Sequence, residues 1–148
     1  MNASQTIEYR MLSLLQRLGN LELGSPPPLD GKISRPQLIL LEWVGFVPGC
    51  GVGDIAKGLG LSAPTVSVGI RRLVKNGWLE RRHDPDDKRA RPLYMTPTAC
   101  DLLQRLNIHR MERINRFLSG LDVGEQEKLL LLLEKAITQA ESRDEIYA

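Results

Sequence analysis

The segment from Gly53 to Thr96 admits few folds. Ile55, Ala56 and Leu59 mark a short apolar helix, and Gly60 follows them where a left-handed helix stop is cheap. Ser62 then offers an N-cap, with Pro64 in the first turn of a second helix. Along that helix Val66, Ile70 and Leu73 recur on one face. Asn76-Gly77 is a strong stop. Trp78 to Arg82 and Pro92 to Met95 are short strand candidates, joined by the polar run His83 to Arg91.

Helix, tight turn, helix, strand, basic loop and return strand make the pattern of a winged helix-turn-helix, a fold that can lay one helix in the DNA major groove. The rest of the chain reads as helix. Ile7, Met11, Leu14, Leu15, Leu18 and Leu21 predict one helix over residues 4–22. Gly24 to Gly31, with three prolines, reads as a stiff connector. Ser34 and Pro36 open a helix that runs to about Phe46, and the next spans Val52 to Leu59. Thr96-Pro97 opens a long helix to about Leu118, and Asp122 caps a last one to about Ser142. The expected class is therefore mainly α with a small β-hairpin wing. Residues 34–96 form the DNA-binding region, and 1–33 with 97–148 form a helical dimerisation region.

That last assignment rests on apolar surface. Five consecutive leucines, Leu129 to Leu133, wrap much of a helix circumference and need burial on more than one side. A two-fold partner is the economical solution; the plainer reading is one core that buries all of it internally.

At 148 residues, with 42% hydrophobic and 26% charged side chains, the chain has the balance of an ordinary globular domain. Cys50 and Cys100 form no CxxC pair, and no stretch resembles a signal peptide or a membrane span, so a cytoplasmic location is expected. Net charge is only +2, but it is unevenly spread. Residues 71–91 hold eight bases against four acids, a local +4, whereas 121–148 hold three bases against seven acids, a local −4. Attraction for phosphates is thus concentrated on one part of the chain.

The face of the second helix opposite Val66, Ile70 and Leu73 presents Ser62, Thr65, Ser67, Val68, Arg71 and Arg72. Hydroxyls and helix N-terminal amides suit phosphates, and Arg71 or Arg72 suits guanine edges. The plainer reading is a solvated helix face. In the wing, Asp87, Lys88 and Arg89 lie at the turn, flanked by Arg81, Arg82 and Arg91. Such a loop can follow the phosphate backbone and send one arginine into the minor groove. Asp87 is expected to hold Arg89 through a carboxylate–guanidinium contact. Gly69, inside the second helix, costs on the order of 1 kcal/mol against alanine; close approach to DNA or to the wing, or avoidance of a clash, would each account for it.

These residues carry a family resemblance. Asp54-Ile-Ala56, Leu61-Ser62, Thr65-Val-Ser67, Leu73 with Asn76-Gly77, Leu79 with Arg81, and Asp87-Lys-Arg89 followed by Met95-Thr96 resemble the MarR family of winged helix-turn-helix transcription regulators. The resemblance covers nearly the whole chain, and the Asp-x-Arg wing is its most specific element. It implies a homodimer on a pseudo-palindromic operator in double-stranded DNA, with recognition helices in adjacent major grooves and wing arginines in minor grooves. It further implies a repressor released by a small-molecule or oxidant signal. The proline-rich connector from Gly24 to Gly31 is a departure that bears on the ligand region. An effector pocket is placed near Tyr9, Leu12, Trp43 and Phe46, against the plainer reading that these side chains pack the core.

Other chemistries find little support. Cys50 and Cys100 do not match a peroxide-sensing position, and packing roles are expected for both. His83 and His109 are too far apart in sequence to suggest a zinc site. No glycine-rich phosphate loop, nucleophile elbow or paired carboxylate in an apolar pocket points to an enzyme or to a cofactor. The alternatives are a winged-helix protein-interaction module and a thiol- or metal-sensing regulator of the same fold.

Overall fold

A computed structural model describes residues 6–29 and 31–147, with backbone alone for 144–147. Six helices and one hairpin follow in the order α1 (Ile7–Asn20), α2 (Arg35–Phe46), α3 (Val52–Leu59), α4 (Ala63–Lys75), β1 (Leu79–Arg81), β2 (Leu93–Met95), α5 (Pro97–Leu118) and α6 (Val123–Tyr147). The chain is thus mainly helical with a two-stranded antiparallel wing. The expected start of the first helix at residue 4 lies outside the described residues. The last helix runs beyond the expected end near Ser142, since no glycine or proline interrupts the chain there.

Helix boundaries follow local hydrogen-bond chemistry. Ser34 accepts from the Gln37 amide at 3.3 Å while the Gln37 side chain accepts from the Ser34 amide at 3.0 Å, a reciprocal cap. Asp122 and Glu125 do the same at the start of α6, both bonds at 2.9 Å. Thr96 opens α5: its Oγ1 accepts from the Ala99 amide at 3.3 Å and donates to the Gly77 carbonyl at 2.6 Å. One hydroxyl thereby joins a helix start to the turn that precedes β1.

Two compact units emerge: residues 1–23 with 110–148, and residues 24–109. The second holds the core, in which Leu41, Ile55, Ile70, Leu73, Leu79, Leu93, Val44 and Val66 are fully buried. This winged unit takes in more chain than residues 34–96. Ile33 is buried and Leu29 packs against the core, so the proline-rich connector is anchored at its end. Ala99 and Leu106 are buried from the α5 side.

In the other unit, α1 and α6 bury none of their described side chains. Ile7, Met11, Leu14 and Leu15 on α1, and Leu130 to Leu133 on α6, are exposed large hydrophobics. Within that unit Glu22 takes a positive φ of 49° after α1, and its carbonyl accepts from Arg113 Nη1 at 3.0 Å.

Candidate nucleic-acid interface

The turn between α3 and α4 is built on one left-handed residue. Gly60 sits at φ 65°, ψ 31°, and the Gly60 and Leu61 amides both donate to the Ala56 carbonyl. The chain can then reverse within a few residues, because glycine has no Cβ to strain. Ser62 starts α4 by accepting from the Thr65 amide at 3.3 Å, and the two hydroxyls lie 2.7 Å apart. Val66, Ile70 and Leu73 are wholly buried, as their spacing predicts. That orientation leaves Ser62, Thr65, Val68, Arg71 and Arg72 exposed and Ser67 half-buried.

Gly69 resolves in favour of packing. A Cβ there would sit 2.4 Å from Leu40 Cδ1, so the glycine lets α2 close against α4. Gly58 in α3 plays the same part for Trp43, whose ring would meet an added Cβ at 2.0 Å. Two helix-interior glycines thus let their own helices pack close to α2, which sets how α4 is carried.

The wing pairs Leu79 with Met95, Glu80 with Tyr94 and Arg81 with Leu93. Past the ladder, the Arg82 amide donates to the Pro92 carbonyl at 2.9 Å. On the other edge of β2, the Gly49 amide donates to Leu93 O at 2.8 Å and the Leu93 amide to Cys50 O at 3.0 Å. The hairpin is therefore bonded to the chain that follows α2.

Asp87 does hold Arg89, but through the backbone. Its Oδ1 accepts from the Arg89 amide at 2.9 Å, and its carbonyl accepts from the Ala90 amide at 3.1 Å. The expected carboxylate–guanidinium contact is replaced by an Asx turn, because the amide two residues on is the nearer donor. Asp84 makes the same bond to the Asp86 amide at 2.9 Å. The acidic residues of the loop thus shape it, and Lys88, Arg89 and Arg91 project exposed side chains from it.

Arg82 differs from its neighbours. Its guanidinium meets Glu80 Oε1 at 2.8 Å and lies 3.9 Å from the centre of the Tyr94 ring. Glu80 and Tyr94 were not singled out from sequence. The two-residue strand period puts Glu80 and Arg82 on one face, but Tyr94 can be matched to them only once the register is known. Arg81, by contrast, is exposed at the end of β1.

The remaining candidates divide between the two units. Tyr9 and Leu12 lie exposed on α1, in the unit apart from the wing. Trp43 and Phe46 lie on α2. Phe46 is 85% exposed, whereas Trp43 is half-buried with its Nε1 buried and without an acceptor among the described residues. Cys50 is buried as expected, and burial together with the nearby Asp54 carboxylate pushes its thiol pKa up. Cys100 corrects the packing expectation: it faces solvent, and its neighbour Ala99 takes the inward position on α5. His83 and His109 are both exposed. Among the described residues no group of three or more His, Cys, Asp or Glu side chains is arranged to hold a metal ion, and no helix is long and apolar enough to cross a membrane.

Comparison with known proteins bears on this assembly. A sequence profile of the MarR family matches residues 32–90. The HTH-type transcriptional regulator YkoM of Bacillus subtilis is 37% identical over 83 residues, 56% of this chain. The chain spans about half the length of that curated relative, 54%. Among solved structures, Streptococcus pneumoniae FabT in complex with DNA superposes with a TM-score of 0.68 at 18% identity, over 95% of this chain and 96% of that one. The PcaV transcriptional regulator of Streptomyces coelicolor, in complex with its natural ligand, gives 0.58 at 21%, over 95% and 97%. At these identities the structural likeness establishes the fold.

Proposed function

We propose that this chain, which matches the MarR family over the winged helix-turn-helix of residues 32–90, is a transcription regulator of that family, acting as a repressor, that reads duplex DNA as a homodimer. The observation that carries this reading is the exposed face of α4 lying in the same compact unit as a basic, turn-stabilised wing. Ser62, Thr65 and Ser67 are suited to phosphates at the start of the recognition helix, and Arg71 and Arg72 to base edges. Lys88, Arg89 and Arg91 are suited to the flanking backbone and minor groove, with Arg81 at the wing base. The ion-paired Arg82 has less freedom to reach a phosphate than the others. The DNA complex of FabT, a protein of the same fold, supports the same use of the fold here.

Homodimerisation is supported by the exposed apolar side chains of α1 and α6, which in water favour a partner. Residues 1–33 and 97–148 supply that surface in this reading, with the part of α5 before Arg110 shared with the winged unit. Release by a small molecule is supported by Trp43, whose buried Nε1 has no acceptor among the described residues, beside the exposed Phe46; the ligand-bound PcaV gives a precedent in the fold.

Selection of bound sequences from a random duplex pool at two salt concentrations tests the central reading. Enrichment of a two-fold-symmetric site with half-sites about one helical turn apart is expected. Arg89→Ala should then lower the slope of log affinity against log salt by about 0.9 per phosphate lost. Unselective binding at both salts would refute the regulator reading. An unchanged affinity and slope in Arg89→Ala would remove the wing from it.

A further inference from the structure

On α4 one residue does not suit a phosphate-binding face. At roughly 100° per residue, Val68 lies almost diametrically across the helix from the buried stripe of Val66, Ile70 and Leu73. It is therefore the centre of the outward face, and it is 40% exposed. Arg71 and Arg72, three and four residues on, and Thr65, three residues back, are its neighbours on the helix surface, and all three are exposed. A helix that only gripped phosphates would gain from a cation or hydroxyl at its centre. Here the centre is apolar and β-branched, held near one rotamer by the helix itself.

In the major groove one base feature prefers an apolar partner to a polar one, the 5-methyl group of thymine. Resting on the proposed reading of DNA by α4, we infer that Val68 is a specificity-determining residue that selects a thymine in each half-site by contact with its 5-methyl group. Arg71 and Arg72 bracket that contact with hydrogen bonds to adjacent base edges or phosphates. The flanking cations bring the duplex to this face, and they are the charge complementarity that favours DNA over an apolar protein partner.

The test uses the full chain and the duplex it selects from a random pool. Each thymine of that duplex is replaced, symmetrically in both half-sites, by deoxyuridine, which removes the methyl and leaves base pairing intact. For the parent chain, one symmetric position should lose affinity by about fourfold per half-site, about fifteenfold for the pair, the worth of one buried methyl group each. In Val68→Ala that loss should fall to less than twofold, with helix content unchanged by circular dichroism. Uniform tolerance of deoxyuridine with selective binding retained would overturn the methyl contact and leave the regulator reading standing. Full deoxyuridine sensitivity in Val68→Ala would overturn the assignment to Val68. Failure to enrich any sequence would overturn both readings together.

Discussion

Replacing Gly58 by alanine sets two effects of known sign against each other. Gly58 lies inside α3, where alanine is ordinarily favoured by about 1 kcal/mol. An added Cβ would sit 2.0, 2.2 and 2.9 Å from Cη2, Cζ2 and Cζ3 of Trp43. Non-bonded carbons settle about 3.5–4.0 Å apart, so the indole would have to withdraw by about 1.5 Å. The ring is a rigid plane packed against the buried core, and overpacking of this kind costs about 1–3 kcal/mol. A displacement of that size belongs at the upper end of the range, so about 3 kcal/mol of clash against about 1 kcal/mol of propensity leaves a net destabilisation of about 2 kcal/mol. Urea unfolding at one fixed protein concentration measures it, as a lower midpoint at unchanged slope. In a Trp43→Leu background the sign should reverse, because only the propensity gain is left; the coupling between the two changes is the direct measure of the contact. A Gly58→Ala chain as stable as its parent would refute the close seating of Trp43 on α3.

Four further outcomes are expected. Asp87→Ala should weaken operator binding about three- to tenfold, worth about 1 kcal/mol, although it removes a negative charge, because the Arg89 amide loses its Oδ1 acceptor. Asp87→Asn keeps the acceptor and should bind at least as tightly as the parent, so tighter binding by the alanine variant in fluorescence anisotropy would contradict the turn. Thr96→Val removes the α5 cap and the bond to Gly77 and should cost about 1–2 kcal/mol of unfolding stability. Thr96→Ser should recover most of it, and equal stability of the valine chain would contradict the role. A maleimide should label Cys100 rapidly and Cys50 slowly. Because the folded Cys50 pKa is raised, its buried thiol supports stability below the ordinary thiol pKa, and that support is lost as pH rises through the folded value. Cys50→Ala should therefore flatten the alkaline fall in stability; an unchanged fall would assign it to other groups.

Much of the fold was readable because its signals are local. Ser34, Ser62, Thr96 and Asp122 each satisfy an amide three residues on, and Gly60 takes the left-handed turn expected of it. The buried stripe of α4 follows from helical spacing alone. What was illegible depended on partners distant in sequence or on close choices of register. Gly69 offered three explanations until Leu40 was found against it. The partners of Arg82 were hidden in the same way, because only the hairpin register brings Tyr94 beneath it. Cys100 and Ala99 differ by one position, about 100° of helix rotation, which apolar composition alone does not resolve. For Asp87 two donors were available, and the choice between guanidinium and amide turned on the shape of the loop.

The bonds between residues 49–50 and β2 have a mechanical consequence. Gly49 takes a φ of 82°, and its Cα approaches Tyr94 so closely that a Cβ would lie 2.9 Å from the phenolic oxygen. With the paired bonds to Leu93, the chain leaving α2 is gripped at both backbone and side chain by the returning strand of the hairpin. The chain that leaves Phe46, at the end of α2, is thus bonded three residues later to the strand that leads back from the wing loop. The linkage acts as a short lever rather than a flexible tether: its stiffness comes from hydrogen bonds that resist stretching, and its reach is only a few residues. Rotation of the α2 end would tilt the loop arginines as a group, changing where they point before any of them changes its own contacts.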